Sequence, residues 1–243
     1  MKIKCVVFPG SNCDHDTEHV FGRVLNQDVE LIWHKEEELG QCDLVILPGG
    51  FAYGDYLRTG AMARFSPIMK SVERFAKDGG YVFGICNGFQ VLCEAGLLPG
   101  ALMKNACLQF RCMDVYLRVE TTRSPLTRYL SQGQVYRVPI AHGDGNYYAD
   151  PETIQQLIDE DCVLFQYSTP DGLILPEGNP NGSLYNIAGI CNKERNVFAM
   201  MPHPERASEP EVGNTDGLLI LQSLVRSIEE KTQSPRLATT SVA

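Results

Sequence analysis

The chain has 243 residues, 44% of them hydrophobic and 21% charged, which is enough to build a packed core without disulfides or bound metal and excludes disorder over most of its length. A formal charge of -9 with no offsetting run of Lys and Arg opposes a phosphate backbone, so nucleic acid is not an expected partner. Nine cysteines without a C-x-x-C pair argue against a disulfide framework or a zinc site and fit a reducing cytoplasm.

The sequence opens on MKIKCVVFPG, an apolar stretch too short for a signal peptide, and no later run reaches membrane-spanning length. The protein is therefore expected to stay in the cytoplasm, where it is made. Residues 3 to 8 (IKCVVF) predict the first strand, residues 15 to 26 a helix, and VELIW at 29 to 33 a second strand. LVIL at 44 to 47 predicts a third strand, ending in PGG. Between 63 and 78, Phe65, Ile68, Met69, Val72 and Phe75 recur at helical spacing, and Gly79 and Gly80 stop the helix before the strand YVFGI. A short helix follows from 87 to 94.

Beyond Pro99 the runs become shorter, β-branched and aromatic, at 115 to 119, 135 to 140, 163 to 167 and 197 to 201. These read as an antiparallel or mixed extension of the same sheet. A last helix from 216 to 231 is expected to pack back through Leu218, Leu219, Leu221, Leu224 and Val225, and the Ser, Thr and Pro of the tail from 233 to 243 predict no structure. The expectation is an α/β fold in a single domain over 1 to 232: a mostly parallel, doubly wound, flavodoxin-like sheet with an antiparallel extension.

The segment YVFGICNGFQVL at 81 to 92 sets an apolar strand against a short helix, with a glycine two residues to either side of Cys86. That spacing suits a nucleophile elbow, in which a strained strand-to-helix turn pushes one side chain outward and bulk at positions 84 and 88 would clash. A helix N-terminus also favours negative charge at the sulfur. A cysteine among Val, Phe and Ile ordinarily fills a core, and the two glycines count against that reading here.

A thiol nucleophile needs a proton shuttle. Of the five histidines, His15 and His19 fall on a predicted surface helix, and His34 ends a strand with no evident partner. His203 lies in AMMPHPE, directly after an apolar strand. Pro204 biases His203 toward extended backbone, and in extended backbone positions i and i+2 share a side, so Glu205 is expected to orient the imidazole. A turn with a solvated His and Glu is the plainer reading of this motif alone. The elbow and the His-x-Glu together, each at a strand end, favour a catalytic pair. Developing negative charge on an attacked carbonyl needs fixed donors, for which the Asn87 amide and the turn P48-G-G-F51 are candidates.

GICNGFQ at 84 to 90, with PGG at 48 to 50 and HPE at 203 to 205, resembles the triad-type, or class I, glutamine amidotransferases. FPGSNCD at 8 to 14, PGGFAYGDYLR at 48 to 58, PIAHGDGNYY at 139 to 148, and MPHPER at 201 to 206 followed by TDG are similar to the branch of that family that forms separate glutaminase subunits for purine synthesis. The likeness runs from about residue 2 to 230. It implies the class I amidotransferase fold, with Cys86 as nucleophile, His203 as acid and base and Glu205 as its orienter. It further implies that Gly49, Gly50, Phe51 and Asn87 serve the substrate and its oxyanion, and that Gln90 and the segment 107 to 112 lie near bound glutamine. No metal and no cofactor are implied for this chain. ATP and magnesium would act on a larger synthetase subunit, with a small third subunit, where ammonia from glutamine would reach formylglycinamide ribonucleotide. Asp144 departs from the Glu expected there and keeps its charge.

Three alternatives stay open at this point: an amidotransferase of another pathway, a γ-glutamyl hydrolase, or a silent binding subunit that inherited the elbow. The loop YGDYLRTG at 53 to 60 is a candidate contact for the synthetase, with an ordinary surface loop as the alternative.

Overall fold

The computed structural model describes residues 1 to 233, and the tail expected to be unstructured lies, from 234 onward, outside the described residues. Eleven strands are present among the described residues, nine of them in one sheet of order β2-β1-β3-β4-β11-β10-β9-β6-β7. β1 (Lys2–Val7), β2 (Asp28–Trp33), β3 (Leu44–Leu47), β4 (Tyr81–Ile85) and β11 (Val197–Met200) are parallel neighbours. β10 (Ile187–Cys191), β9 (Val163–Ser168), β6 (Arg111–Val119) and β7 (Val135–His142) continue the sheet antiparallel. The expected antiparallel extension thus contributes four strands against five in the parallel half. Strands covered on both faces read as unbroken apolar runs, and all four residues of β3 are fully buried.

Helices α1 (Asp14–His19), α2 (Pro67–Lys77), α3 (Asn87–Glu94) and α4 (Pro151–Asp159) lie in connections between strands, and α5 (Asp216–Gln233) follows the last strand. The helix expected over 15 to 26 is shorter, because α1 passes into a π-helical turn at Val20–Val24 and the chain then turns through Asn26 at φ 52. α2 begins at Pro67 rather than 63, since Ser66 is held extended before the proline at φ -60, ψ 139, and residues 63 to 65 form a separate 3-10 turn.

Four elements escaped the sequence reading. α4 is capped by Asp150, whose Oδ1 accepts from the Thr153 amide at 3.0 Å, with Pro151 in the first turn. β10 is a short apolar run whose periodicity does not separate strand from helix. A further pair, β5 (Ala101–Met103) and β8 (Asn146–Tyr148), forms a small antiparallel sheet beside the main one.

α5 packs on β7 and on the turn after β11, burying Ile220, Leu221, Leu224, Val225 and Ile228. Leu219, expected in that seam, is 45% exposed, and Ile220 takes its place. Leu221→Ala is expected to cost about 2–5 kcal/mol through lost burial and a residual cavity, read as a lower midpoint in urea unfolding.

Candidate active site

Cys86 occupies the single residue between β4 and α3, at φ 50 and ψ -103. A non-glycine residue held there carries strain of about 1–3 kcal/mol, which the surroundings must impose. They do so by close approach. A Cβ on Gly88 would lie 1.9 Å from the Leu47 carbonyl oxygen, and one on Gly84 would lie 2.6 Å from Leu92 Cδ1 and 2.8 Å from the Gly88 carbonyl. Both glycines are therefore steric requirements of the elbow, as the sequence suggested. The Cys86 amide donates to the Met200 carbonyl at 2.9 Å, and its sulfur sits 3.8 Å from the Ala141 carbonyl.

The parallel register of β11 on β4 pairs Met200 with Ile85, so the chain leaving β11 must pass the elbow. His203 is reached three residues later, its amide donating to the Pro139 carbonyl at 2.8 Å. Its Nδ1 is 2.6 Å from Glu205 Oε1, and both side chains are buried. The contact does not come from extended backbone, as expected. His203 sits at φ -104, ψ 85, and Glu205 falls in a one-turn 3-10 helix, Pro204–Arg206, that folds the carboxylate back onto the ring.

With Nδ1 bound to the carboxylate, Nε2 is the free nitrogen, and among the described residues no side chain meets it at hydrogen-bond geometry. Burial works against a charged imidazole, but the Glu205 carboxylate, the Cys86 sulfur and the Cys13 thiol outweigh it and hold the His203 pKa well above its ordinary value. The Cys86 sulfur thus acts on the ring without a tight bond to it, and such contacts commonly close only around substrate.

The PGG turn after β3 reaches the same place. A Cβ on Gly49 would lie 2.6 Å from His203 Cε1, and Gly50, at φ 146, would bring one within 2.8 Å of Ser11 Cα. The Phe51 amide is taken by the Gly10 carbonyl at 2.9 Å, and its ring stacks on Phe110 at 6.2 Å. The Ala52 amide donates to Asn87 Oδ1 at 3.1 Å. That contact fixes the polarity of a relay, because Asn87 Nδ2 must then donate to Gln90 Oε1 at 2.8 Å and Gln90 Nε2 to the Asp144 carbonyl at 2.6 Å. Asn87 and Gln90 are buried and spend their side-chain amides tying these segments together, so Gln90 serves as scaffold.

Several residues at the site were not singled out in the sequence. His142 follows Ala141 at the end of β7, with Nδ1 3.1 Å from Asn105 Oδ1 and Nε2 buried without a partner. Burial, then the charge of His203, pushes its pKa down to about 4. Tyr167 is fully buried with Asn181 Nδ2 3.3 Å from its hydroxyl, and the Cys86 sulfur adds to the burial that raises its pKa. Cys13 lies against His203 and Glu205. Among the described residues these three offer donor atoms all within 4.8 Å of one another, which could hold a metal, but Arg206 Nη2 already approaches the Cys13 sulfur at 3.1 Å and fills the cationic position. His34, expected to lack a partner, has Tyr53 Oη at 2.9 Å and Ser66 Oγ at 3.2 Å from Nδ1.

A cavity of about 270 Å³ lined by Cys112, Pro139, Ala141, His203 and Arg206 reaches the imidazole. Two larger ones, about 530 and 560 Å³, lie away from the site. No described helix is long and apolar enough to cross a membrane.

Residues 1 to 216 match the CobB/CobQ-like glutamine amidotransferase domain. The chain is 55% identical over 231 residues to the phosphoribosylformylglycinamidine synthase subunit PurQ of Koribacter versatilis, covering 95% of this chain and 100% of that one. It is 57% identical over 223 residues to the subunit of the same name from Salinibacter ruber, covering 92% and 95%. Among solved structures, that of PurLQS from Thermotoga maritima superposes with a TM-score of 0.81 at 39% identity, covering 93% of this chain and 97% of that one.

The depressed pKa of His142 has a measurable consequence. Between pH 6.5 and about 4 the unfolded chain takes up a proton at this histidine and the folded chain does not, so native stability should fall as the pH falls through that window. Relative to His142→Gln, the native chain is expected to lose about 2–3 kcal/mol on going from pH 7 to pH 4, read from urea midpoints at each pH.

Proposed function

The chain belongs to the CobB/CobQ-like glutamine amidotransferase family, and we propose that it is the glutaminase subunit of a phosphoribosylformylglycinamidine synthase. In this reading it releases ammonia from glutamine, and a partner synthetase uses that ammonia to convert formylglycinamide ribonucleotide to formylglycinamidine ribonucleotide. What supports the reading is the joint presence, at adjoining strand ends, of an elbow cysteine and a buried His203–Glu205 pair, in a chain similar over nearly its whole length to subunits of that name.

The Cys86 sulfur attacks the side-chain carbonyl carbon of glutamine, its proton having passed to His203 Nε2. The oxygen of the tetrahedral adduct takes its donors from the backbone amides of Gly50 and Asn87, since those of Phe51 and Ala52 are already engaged. His203 returns the proton to the nitrogen, the carbon–nitrogen bond breaks, and ammonia leaves a thioester behind. Water then gives a proton to His203 and attacks the thioester, releasing glutamate and the sulfur. Glu205 holds Nδ1 throughout, so that Nε2 alone exchanges protons.

Residues 1 to 232 act as one amidotransferase domain, a reading supported by the continuous sheet and its single buried cluster. The chain itself carries no cofactor in this reading, and ATP and magnesium are used by the larger synthetase, with a small third subunit completing the assembly. Nine free cysteines fit a cytoplasmic setting. The loop at 53 to 60 is the contact for the synthetase. Tyr56 and Leu57 there are 77% and 84% exposed, and Tyr53, Gly54, Asp55 and Leu57 all have positive φ. A Cβ on Gly60, at the loop's end, would lie 2.8 Å from the Val91 amide, so the loop rests on the first turns of α3.

The test supplies glutamine labelled with ¹⁵N in its amide, formylglycinamide ribonucleotide, ATP, magnesium and the cognate synthetase. Label is expected in the amidine product. Cys86→Ala should abolish glutamine-dependent synthesis and leave synthesis from free ammonia, and Glu205→Gln should lower glutamine-dependent kcat about 10²–10⁴-fold. Hydrolysis by the chain alone should be far slower than in the complex. Glutamine-dependent synthesis surviving in Cys86→Ala would refute the assignment.

A further inference from the structure

The imidazole of His203 has a second sulfur beside it. Cys13, 2% exposed, ends the turn between β1 and α1, and its sulfur lies within 4.8 Å of a ring nitrogen of His203, both against Gly49: a Cβ there would lie 2.6 Å from His203 Cε1 and 3.0 Å from Cys13 Sγ. The Cys13 backbone is fixed at both ends. Its amide donates to the Gly49 carbonyl at 3.3 Å, and its carbonyl accepts from the Thr17 amide at 3.0 Å and the Thr17 hydroxyl at 2.7 Å. The thiol donates to Asn12 Oδ1 at 3.3 Å and accepts from Arg206 Nη2 at 3.1 Å, while Arg206 Nε binds Asp16 Oδ2 at 3.0 Å. Arg206 is the residue after Glu205, so the turn that carries the histidine and its carboxylate is pinned to the start of α1. His19 Nε2, 2.6 Å from Glu209 Oε2, pins it a second time.

We propose that Cys13, clamped by Arg206, is a positioning residue that fixes the His203 imidazole against Glu205. The turn between β1 and α1 thereby belongs to the working site. The role rests on the glutaminase reading above, and on geometry that reading does not use. Burial pushes the Cys13 thiol pKa up, so beside the same histidine it stays neutral and serves as a contact rather than as a nucleophile. Its presence in turn helps hold the imidazolium.

Four elements present groups to His203: Glu205 on its own turn, Cys86 at the elbow, Cys13 with Arg206 behind it, and His142 at the end of β7. Only the Cys13 group can be altered without touching the elbow, the carboxylate or the strand end.

The experiment follows the His203 ring by histidine NMR across pH in the full chain, assigned with His203→Gln, and measures glutamine hydrolysis in the assembled complex. In Cys13→Ala the His203 midpoint is expected about one pH unit lower. The kcat should fall several-fold with KM unchanged, and its alkaline limb should move down with the midpoint. Cys13→Ser, which keeps a small polar group in the same place, should recover part of both losses. Midpoints unmoved in both variants would overturn the proposal, even if thermal stability fell. The NMR midpoint does not depend on activity, so a shifted midpoint in a preparation that hydrolyses no glutamine would uphold the clamp and count against the glutaminase reading.

Discussion

The parallel pairing of β4 with β11 is the constraint from which the site follows. Once Ile85 lies beside Met200, the residue after Ile85 and the chain after Met200 leave the sheet at one edge, and the Cys86 amide closes onto the Met200 carbonyl. Everything else adjusts to that junction. β3 flanks β4 on the other side and delivers the PGG turn, and α3 presses so closely on β3 that only hydrogen fits at Gly88 beneath the Leu47 carbonyl. The strained backbone of Cys86 is held by these close approaches, which a looser sheet would let relax. β11 can occupy this position because the sheet reverses direction beyond it: β10 and β11 form a hairpin that returns the chain to the border of the parallel half, in the middle of the nine-stranded sheet.

Around that junction the polar groups divide into two sets. One set has no freedom: the polarity of Asn87 and Gln90 propagates from the Ala52 amide, and that of Asn105 is set by the Gly145 amide and the carbonyls of Gln109 and His142. The other set keeps unpartnered buried atoms, His203 Nε2, His142 Nε2 and Glu205 Oε2. A buried polar atom without a partner costs about 1–3 kcal/mol, so a fold retains one where something else gains from it. Two more such atoms, His34 Nε2 and Asp55 Oδ1, lie outside this group, and the satisfied amides form the frame around it.

Much of this was legible in the sequence, and the exceptions share a cause. The elbow could be read because its requirements are local, with two glycines and an apolar strand within a few residues of Cys86. His203 and Glu205 could be paired by their spacing, but the reason was mistaken, since a proline at 204 starts a 3-10 turn as readily as it extends the residue before it. His34 could not be paired with Tyr53 and Ser66, nor Cys13 with Arg206, because those contacts join segments whose proximity only the sheet order decides. The amphipathic seam of α5 was readable to within one residue, Ile220 for Leu219, as expected where one face is set by period alone.

Two thiols flank one imidazole, and the fold gives them different surroundings. Cys86 stands at the start of a helix, beside a carbonyl, on a backbone that leaves its side chain nowhere to go but outward. Cys13 stands just before α1, but its sulfur is turned into a buried pocket, donating to Asn12 and accepting from a guanidinium. Burial and the nearby Glu205 carboxylate both disfavour its ionisation. Residue type alone cannot distinguish them, nor can distance to the histidine. The difference is the backbone at position 86, held strained at the strand-to-helix turn by close approaches, and that difference was already written in the glycines at 84 and 88.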